Sequence, residues 1–73
     1  MQVIWKDGFS ISARVENGTV LVTANAAGLR SLANICQALA DEPRGAHIHL
    51  DEFNSLEDGS AELIIERIPE DKE

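Results

Sequence analysis

Two runs of alternating apolar and polar residues, 10–16 and 19–24, flank the dipeptide Asn17-Gly18. A period of two marks a half-buried strand. Asn-Gly between two such runs is the strongest short hairpin signal, because a type I′ turn needs positive φ at both central residues. A two-residue turn fixes the register: Glu16 faces Thr19, Val15 faces Val20, Ala13 faces Val22 and Ile11 faces Ala24. The odd-numbered residues of the first run then meet apolar or small partners on one face, so turn chemistry and hydrophobic pattern agree. Asp7-Gly8 offers a second turn of the same kind and predicts a further strand over residues 1–6, with Ile4 opposite Ile11 on the core side.

After the hairpin the period changes. Asn25 is a good N-cap, and Leu29, Leu32, Cys36 and Leu39 recur at helical spacing, with Ala33 and Ile35 widening the stripe. Gly28 slightly weakens the first turn. Pro43 disfavours helix at Glu42, so the helix should stop near Ala40 or Asp41, and Gly45 allows re-entry into strand. Residues 46–51 alternate again, with Ile48 and Leu50 on one side and His47, His49 and Asp51 on the other. Residues 52–59 read as a polar loop anchored by Phe53 and Leu56. Residues 60–68 read as a last strand, with Leu63 and Ile65 inward and Glu62, Ile64 and Glu66 outward.

The pattern therefore predicts one α+β domain over residues 1–68 and a charged C-terminal tail over 69–73. The domain has two layers, an antiparallel sheet of about five strands in the order β-β-β-α-β-β with one helix packed on one face. The expected core is Ile4, Ile11, Ala13, Val15, Val20, Val22, Leu29, Leu32, Cys36, Leu39, Ile48, Leu50, Leu63 and Ile65. One helix covers only one face, which leaves Val3, Trp5, Leu21 and Ile64 on the other. A Trp with aliphatic neighbours on an open sheet face points to a partner. A homo-oligomer through that face, commonly a C2 dimer, is the expected arrangement.

Composition adds little until the charge is divided. The chain of 73 residues is 44% hydrophobic and 26% charged, which is globular and too apolar for disorder. Residues 1–40 hold two acids and three bases, net +1, while residues 41–73 hold eleven acids and three bases, net −8; the two sum to the overall −7. Such a chain repels nucleic acid and anionic membrane and attracts a basic partner, although an acidic surface also serves solubility. Cys36 is the only cysteine, so no intrachain disulfide forms. With no secretory leader pattern at the N-terminus and no apolar stretch of spanning length, a cytoplasmic protein is expected.

Candidate chemistry concentrates on one strand. His47, His49 and Asp51 recur every second residue, about 7 Å apart. Two imidazoles so placed could converge on a metal, and His-x-His-x-Asp occurs within metallohydrolase motifs. Here Glu52 stands where the metallo-β-lactamase pattern needs a further His, and no other His is present to close a zinc site. No metal and no cofactor are therefore expected. No serine sits in a nucleophile motif, no glycine-rich phosphate loop is present, and a two-layer domain of this length has little room for a walled pocket. No catalytic residue is expected.

The segment Gly45-Ala46-His47-Ile48-His49-Leu50-Asp51, followed by Leu56 and by Gly59-Ser60-Ala61-Glu62-Leu63, is the most distinctive part of the chain. With the helix before it, this segment resembles the bacterial immunity-protein family thirty-two of polymorphic toxin systems. In that family a Gly-x-His-x-His-Leu-Asp strand follows a Gly-Leu-containing helix, here Gly28-Leu29. The resemblance covers roughly residues 20–66. It implies a small, non-catalytic α+β protein that binds and neutralises a cognate toxin, and brings no catalytic residues with it. The expected partner is a basic toxin, steered by the acidic half and held by Trp5, Leu21, His47, His49, Asp51 and Glu52. Two other readings remain open: a metal-dependent binding protein or hydrolase using His47, His49 and Asp51, and a homo-oligomer of different role.

Overall fold

The Asn17-Gly18 turn forms as its residues require, with φ of 51° at Asn17 and 79° at Gly18. It joins β1 (Ile11–Glu16) to β2 (Thr19–Ala24), antiparallel and in the expected register from Ile11↔Ala24 to Glu16↔Thr19. The helix α1 (Ala26–Ala40) follows at once. Asn25 caps it by accepting from Gly28 N at 2.7 Å. The same Oδ1 accepts from Ser10 N at 3.0 Å, and the amide nitrogen donates to the carbonyl of Gly8 at 2.9 Å. One side chain thus pins the helix start, the foot of the hairpin and the Asp7-Gly8 turn together. β3 (Ala46–Leu50) and β4 (Leu63–Arg67) form a second antiparallel pair, Ala46↔Arg67 to Leu50↔Leu63.

The computed structural model describes residues 1–69, so the tail expected over 69–73 lies, from residue 70 on, outside the described residues. Within them the class is α+β with a single helix, as expected, but there are four strands in two sheets of two, not five in one. Competition for an edge explains the difference. The outward carbonyls of β1 are already taken: Ile11 O accepts from Glu57 N and Ala61 N donates to Ala13 O, each at 2.8 Å, while Ser60 Oγ receives Ala13 N at 3.2 Å. The segment 57–61 therefore occupies the place expected for residues 1–6. That N-terminal segment lies beside the helix instead. Lys6 N donates to Ser31 Oγ at 2.8 Å, and Asn34 Nδ2 donates to Ile4 O at 2.7 Å. Asp7-Gly8 does turn, closed by Phe9 N to Lys6 O, but no strand pairing follows from it.

The helix is also rotated from the expected stripe. Its buried residues are Gly28, Ser31, Ile35 and Leu39, whereas Leu29 is 57% exposed and Cys36 is exposed. Gly28 sets this rotation. A Cβ there would stand 2.4 Å from Ser10 O, 2.9 Å from Ile11 Cγ1 and 3.0 Å from Ala24 Cβ. The helix backbone thus lies against the hairpin at a distance only glycine permits, and Ser31, fully buried, continues the small-residue face. The core is Ile11, Ala13, Ile35, Leu39, Leu50 and Leu56, with Val3, Trp5, Phe9, Ala24, Leu32, Ala46, Ile48, Leu63 and Ile65 packed around it. Ile4, Val15, Val20 and Val22, expected inside, are exposed. Val3 and Trp5, expected on an open face, pack against the core. Of the two loop anchors, Leu56 is buried and Phe53 is 91% exposed.

Candidate functional site

Strand alternation decides what β3 shows. Leu50 is buried and Ile48 half-buried, so His47 and His49 point out and are exposed. The β4 register sets His47 opposite Glu66 and His49 opposite Ile64. One step along the diagonal, Glu62 Oε2 lies 3.0 Å from His49 Nδ1, an ion pair whenever the ring is protonated. Both side chains are about half exposed, so the bond orients the ring and adds little stability. The two imidazoles meet edge to face, with centroids 4.9 Å apart.

Beyond β3 the chain folds back in a tight loop. The carbonyl of Asp51 accepts from the amides of Asn54, Ser55 and Leu56, and its Oδ1 accepts from Phe53 N at 2.9 Å. Asn54 Oδ1 returns a bond to Asp51 N, and Ser55 Oγ donates to that same Oδ1 at 2.5 Å. Glu52 Oε2 accepts from Gly59 N at 3.1 Å, closing the far end of the loop. Both carboxylates thus brace the loop, each through one oxygen. Among the described residues no group of three or more His, Cys, Asp or Glu side chains could hold a metal ion.

On the other side of His49 the N-terminal segment supplies aromatic walls. Trp5 and Phe9 stack with centroids 4.8 Å apart and a 32° tilt. With Ile48, His49, Leu50, Asn54 and Ser55 they line an open cleft of about 500 Å³. The length of the chain led us to expect little room for such a space, yet the two-sheet arrangement leaves it between β3 and the N-terminal segment. The cleft brings Trp5 and His49 together, and His47 packs against the His49 ring. It does not include Leu21, which belongs to the other hairpin. The sequence does not single out Phe9 or Asn54, and it marks Phe53 only as a loop anchor, not as the bare ring it is. Phe9 directly follows a turn glycine, and Phe53 stands in an acidic loop. Both positions were legible only as places, not as surfaces.

The lining suits recognition. Nucleophilic catalysis needs a hydroxyl bonded to the base it will lose its proton to. Ser55 lines the cleft with His49, but its hydroxyl donates to Asn54. Apolar and aromatic walls with a few polar groups at the rim instead suit an inserted side chain. Glu66, opposite His47, and Glu57 and Asp58 of the 51–61 loop are exposed and carry no salt bridge among the described residues.

The model of a protein family described as immunity protein 32 matches residues 19–68. The chain belongs to the immunity protein 32 family. The matched stretch contains β2, α1, β3 and β4, and so the histidine strand, its carboxylate partner and the loop between them. Trp5 and Phe9, the aromatic wall of the cleft, lie N-terminal to it. No curated protein and no solved structure matches the chain. Among the described residues no helix is long and apolar enough to cross a membrane.

Proposed function

We propose that this immunity protein 32 member is a non-catalytic antidote that acts in the cytoplasm of the producing cell and neutralises a cognate basic toxin by occupying its surface. The observation that carries the reading is the cleft between Trp5, Phe9 and His49, set in an acidic surface on a chain of this family. An apolar or aromatic side chain of the toxin enters the cleft as the buried anchor, the kind of contact that supplies most of an interface's energy. Phe53, bare on the adjoining loop, adds a second apolar contact. The unpaired carboxylates of Glu57, Asp58 and Glu66 face lysines and arginines at the rim, while His47 and His49 donate or accept hydrogen bonds across the contact.

Two kinetic signatures distinguish these roles. Rim charge steers encounter, so the association rate should fall steeply as salt rises and screening shortens to about 10 Å at 0.1 M. Replacing Glu57, Asp58 and Glu66 by glutamine should lower the association rate and leave dissociation nearly unchanged. Emptying the anchor site with Phe9→Ala should instead speed dissociation. The test is surface plasmon resonance with the cognate toxin domain that this proposal calls for. An association rate indifferent to salt would remove the electrostatic part of the proposal, and a dissociation rate indifferent to Phe9→Ala would remove the anchor.

A further inference from the structure

The β1–β2 hairpin has one occupied edge and one open edge. Asn25 N donates to Ser10 O at 3.1 Å, which identifies the pair 10–25 as hydrogen-bonded. Alternation then makes 12–23, 14–21 and 16–19 the bonded pairs of the ladder and turns the amides and carbonyls of odd β1 residues outward. The bonds from Glu57 and Ala61 to the carbonyls of Ile11 and Ala13 agree with this. On β2 the same rule turns the main-chain groups of Val20 and Val22 outward. There they have no partner among the described residues.

Natural edge strands are usually blunted by charge, proline or a bulge. β2 reads Thr19-Val20-Leu21-Val22-Thr23-Ala24, with none of these devices. Its side chains are bare on both faces: Val20 is 64% exposed, Leu21 41% and Val22 39%, with Val15 beside them at 63%. Two features specify the occupant. Residues 19–23 form a palindrome, Thr-Val-Leu-Val-Thr, centred on Leu21. The hairpin also carries only Arg14 and Glu16, net zero, in a chain of net charge −7, so two copies can meet here without opposing their acidic halves.

We infer that β2 is a self-pairing edge: two copies of this chain join β2 to β2 antiparallel about a twofold axis through Leu21, making a continuous four-stranded sheet. In that register Leu21 lies opposite Leu21 of the second copy at a non-hydrogen-bonded site. Val20 and Val22 lie opposite Val22 and Val20 and exchange their outward amides and carbonyls, giving four intermolecular hydrogen bonds. Thr19 and Thr23 lie opposite each other, a favourable cross-strand pair. On one face Val15, Val20, Val22 and Ala13 line up in rows across the dimer. On the other, the two Arg14 side chains are three strand spacings apart, about 14 Å, beyond the screening length of about 10 Å at 0.1 M salt. The cleft lined by His49 lies on the other sheet and stays open, so this inference does not depend on toxin binding.

Sedimentation velocity from micromolar to submillimolar concentration tests the inference, with far-UV circular dichroism to confirm folding. The unaltered protein should sediment as a dimer. Leu21→Glu keeps an oppositely charged partner in Arg14 within its own hairpin but sets two carboxylates face to face on the twofold axis. It should weaken dimerisation by at least about tenfold. Val22→Pro removes an outward amide that the hairpin ladder does not use and should have the same effect. In a Cys36→Ser background, Leu21→Cys should cross-link under mild oxidation, because non-hydrogen-bonded antiparallel pairs lie within disulfide reach, and Val15→Cys should not. A monomer at all concentrations, a dimer unaffected by Leu21→Glu and Val22→Pro, or equal cross-linking at positions 15 and 21 would each overturn the inference.

Discussion

Replacing Gly28 by alanine sets two effects of opposite sign against each other. In an exposed helix interior the change stabilises by about 0.8–1 kcal/mol, because glycine loses more backbone entropy on folding. Here the new methyl group would stand 2.4 Å from the main-chain oxygen of Ser10, with Ile11 Cγ1 and Ala24 Cβ at 2.9 and 3.0 Å. Ordinary contact needs about 1 Å more than the shortest of these, and the obstructing atom is backbone, which cannot rotate aside. Moving the helix out by that much forfeits roughly a quarter to a half of the dispersion energy across the contact. It also stretches the 2.7 Å bond from Gly28 N to the Asn25 cap. Overpacking of this kind costs about 1–3 kcal/mol, and a weakened cap up to about 1 kcal/mol more. The net expectation is a loss of up to about 3 kcal/mol after the helical gain is subtracted, read from urea unfolding followed by circular dichroism. Ala33→Gly, on the exposed side of the same helix, is the control and should cost about 1 kcal/mol by propensity alone. A Gly28→Ala protein that gains the full helical increment of about 1 kcal/mol would show that the helix does not rest on the hairpin through Gly28.

Three further substitutions test the same frame. Ile35→Ala should cost about 2–5 kcal/mol, because Ile35 is fully buried, while Leu29→Ala at 57% exposure should cost far less; equal costs in thermal denaturation would restore the helix rotation expected from hydropathy. Asn25→Ala should cost about 1–2 kcal/mol and Asn25→Asp less, since aspartate keeps the acceptor for Ser10 and Gly28 and loses only the donor to Gly8; urea midpoints order the two. Ser31→Ala leaves the amide of Lys6 without its acceptor and should cost about 1–2 kcal/mol. It should also shift Trp5 emission to the red as the N-terminal segment loosens; unchanged emission would detach Trp5 from that anchor.

How much of this was legible in the sequence follows the range of the forces involved. The hairpin register, the helix cap and the alternation of β3 and β4 rest on contacts between near neighbours, and Asn17-Gly18, Asn25 and the period of two carried them. The helix rotation did not follow from hydropathy, because counting apolar residues rewards Leu29 and Cys36 and cannot register that a glycine face lets two backbones approach. The N-terminal strand was misplaced for a longer-range reason. Residues 1–6 and residues 57–61 both had claims on the outer edge of β1, and nothing local says that the amides of Glu57 and Ala61 prevail. The candidate site divided along the same line. His47 and His49 could be set on one face from spacing alone, whereas the cleft depends on where the displaced N-terminal segment came to rest. Asp51 and Glu52 read as recognition residues in the sequence, and pattern alone did not show that each also accepts from a loop amide, Phe53 N and Gly59 N.

Trp5 is the only tryptophan in the chain and stands in the wall of the cleft, so its fluorescence reports directly on whether the proposed site is used. Titrating the proposed cognate toxin domain into the protein should produce a saturable, equimolar change in Trp5 emission together with loss of toxin activity. Glu62→Ala, which frees the His49 ring from its 3.0 Å partner, and Phe9→Ala, which removes the facing wall, should each weaken binding, the second by about tenfold or more. Tight neutralisation of the toxin with Trp5 emission unchanged and both substitutions silent would contradict the account.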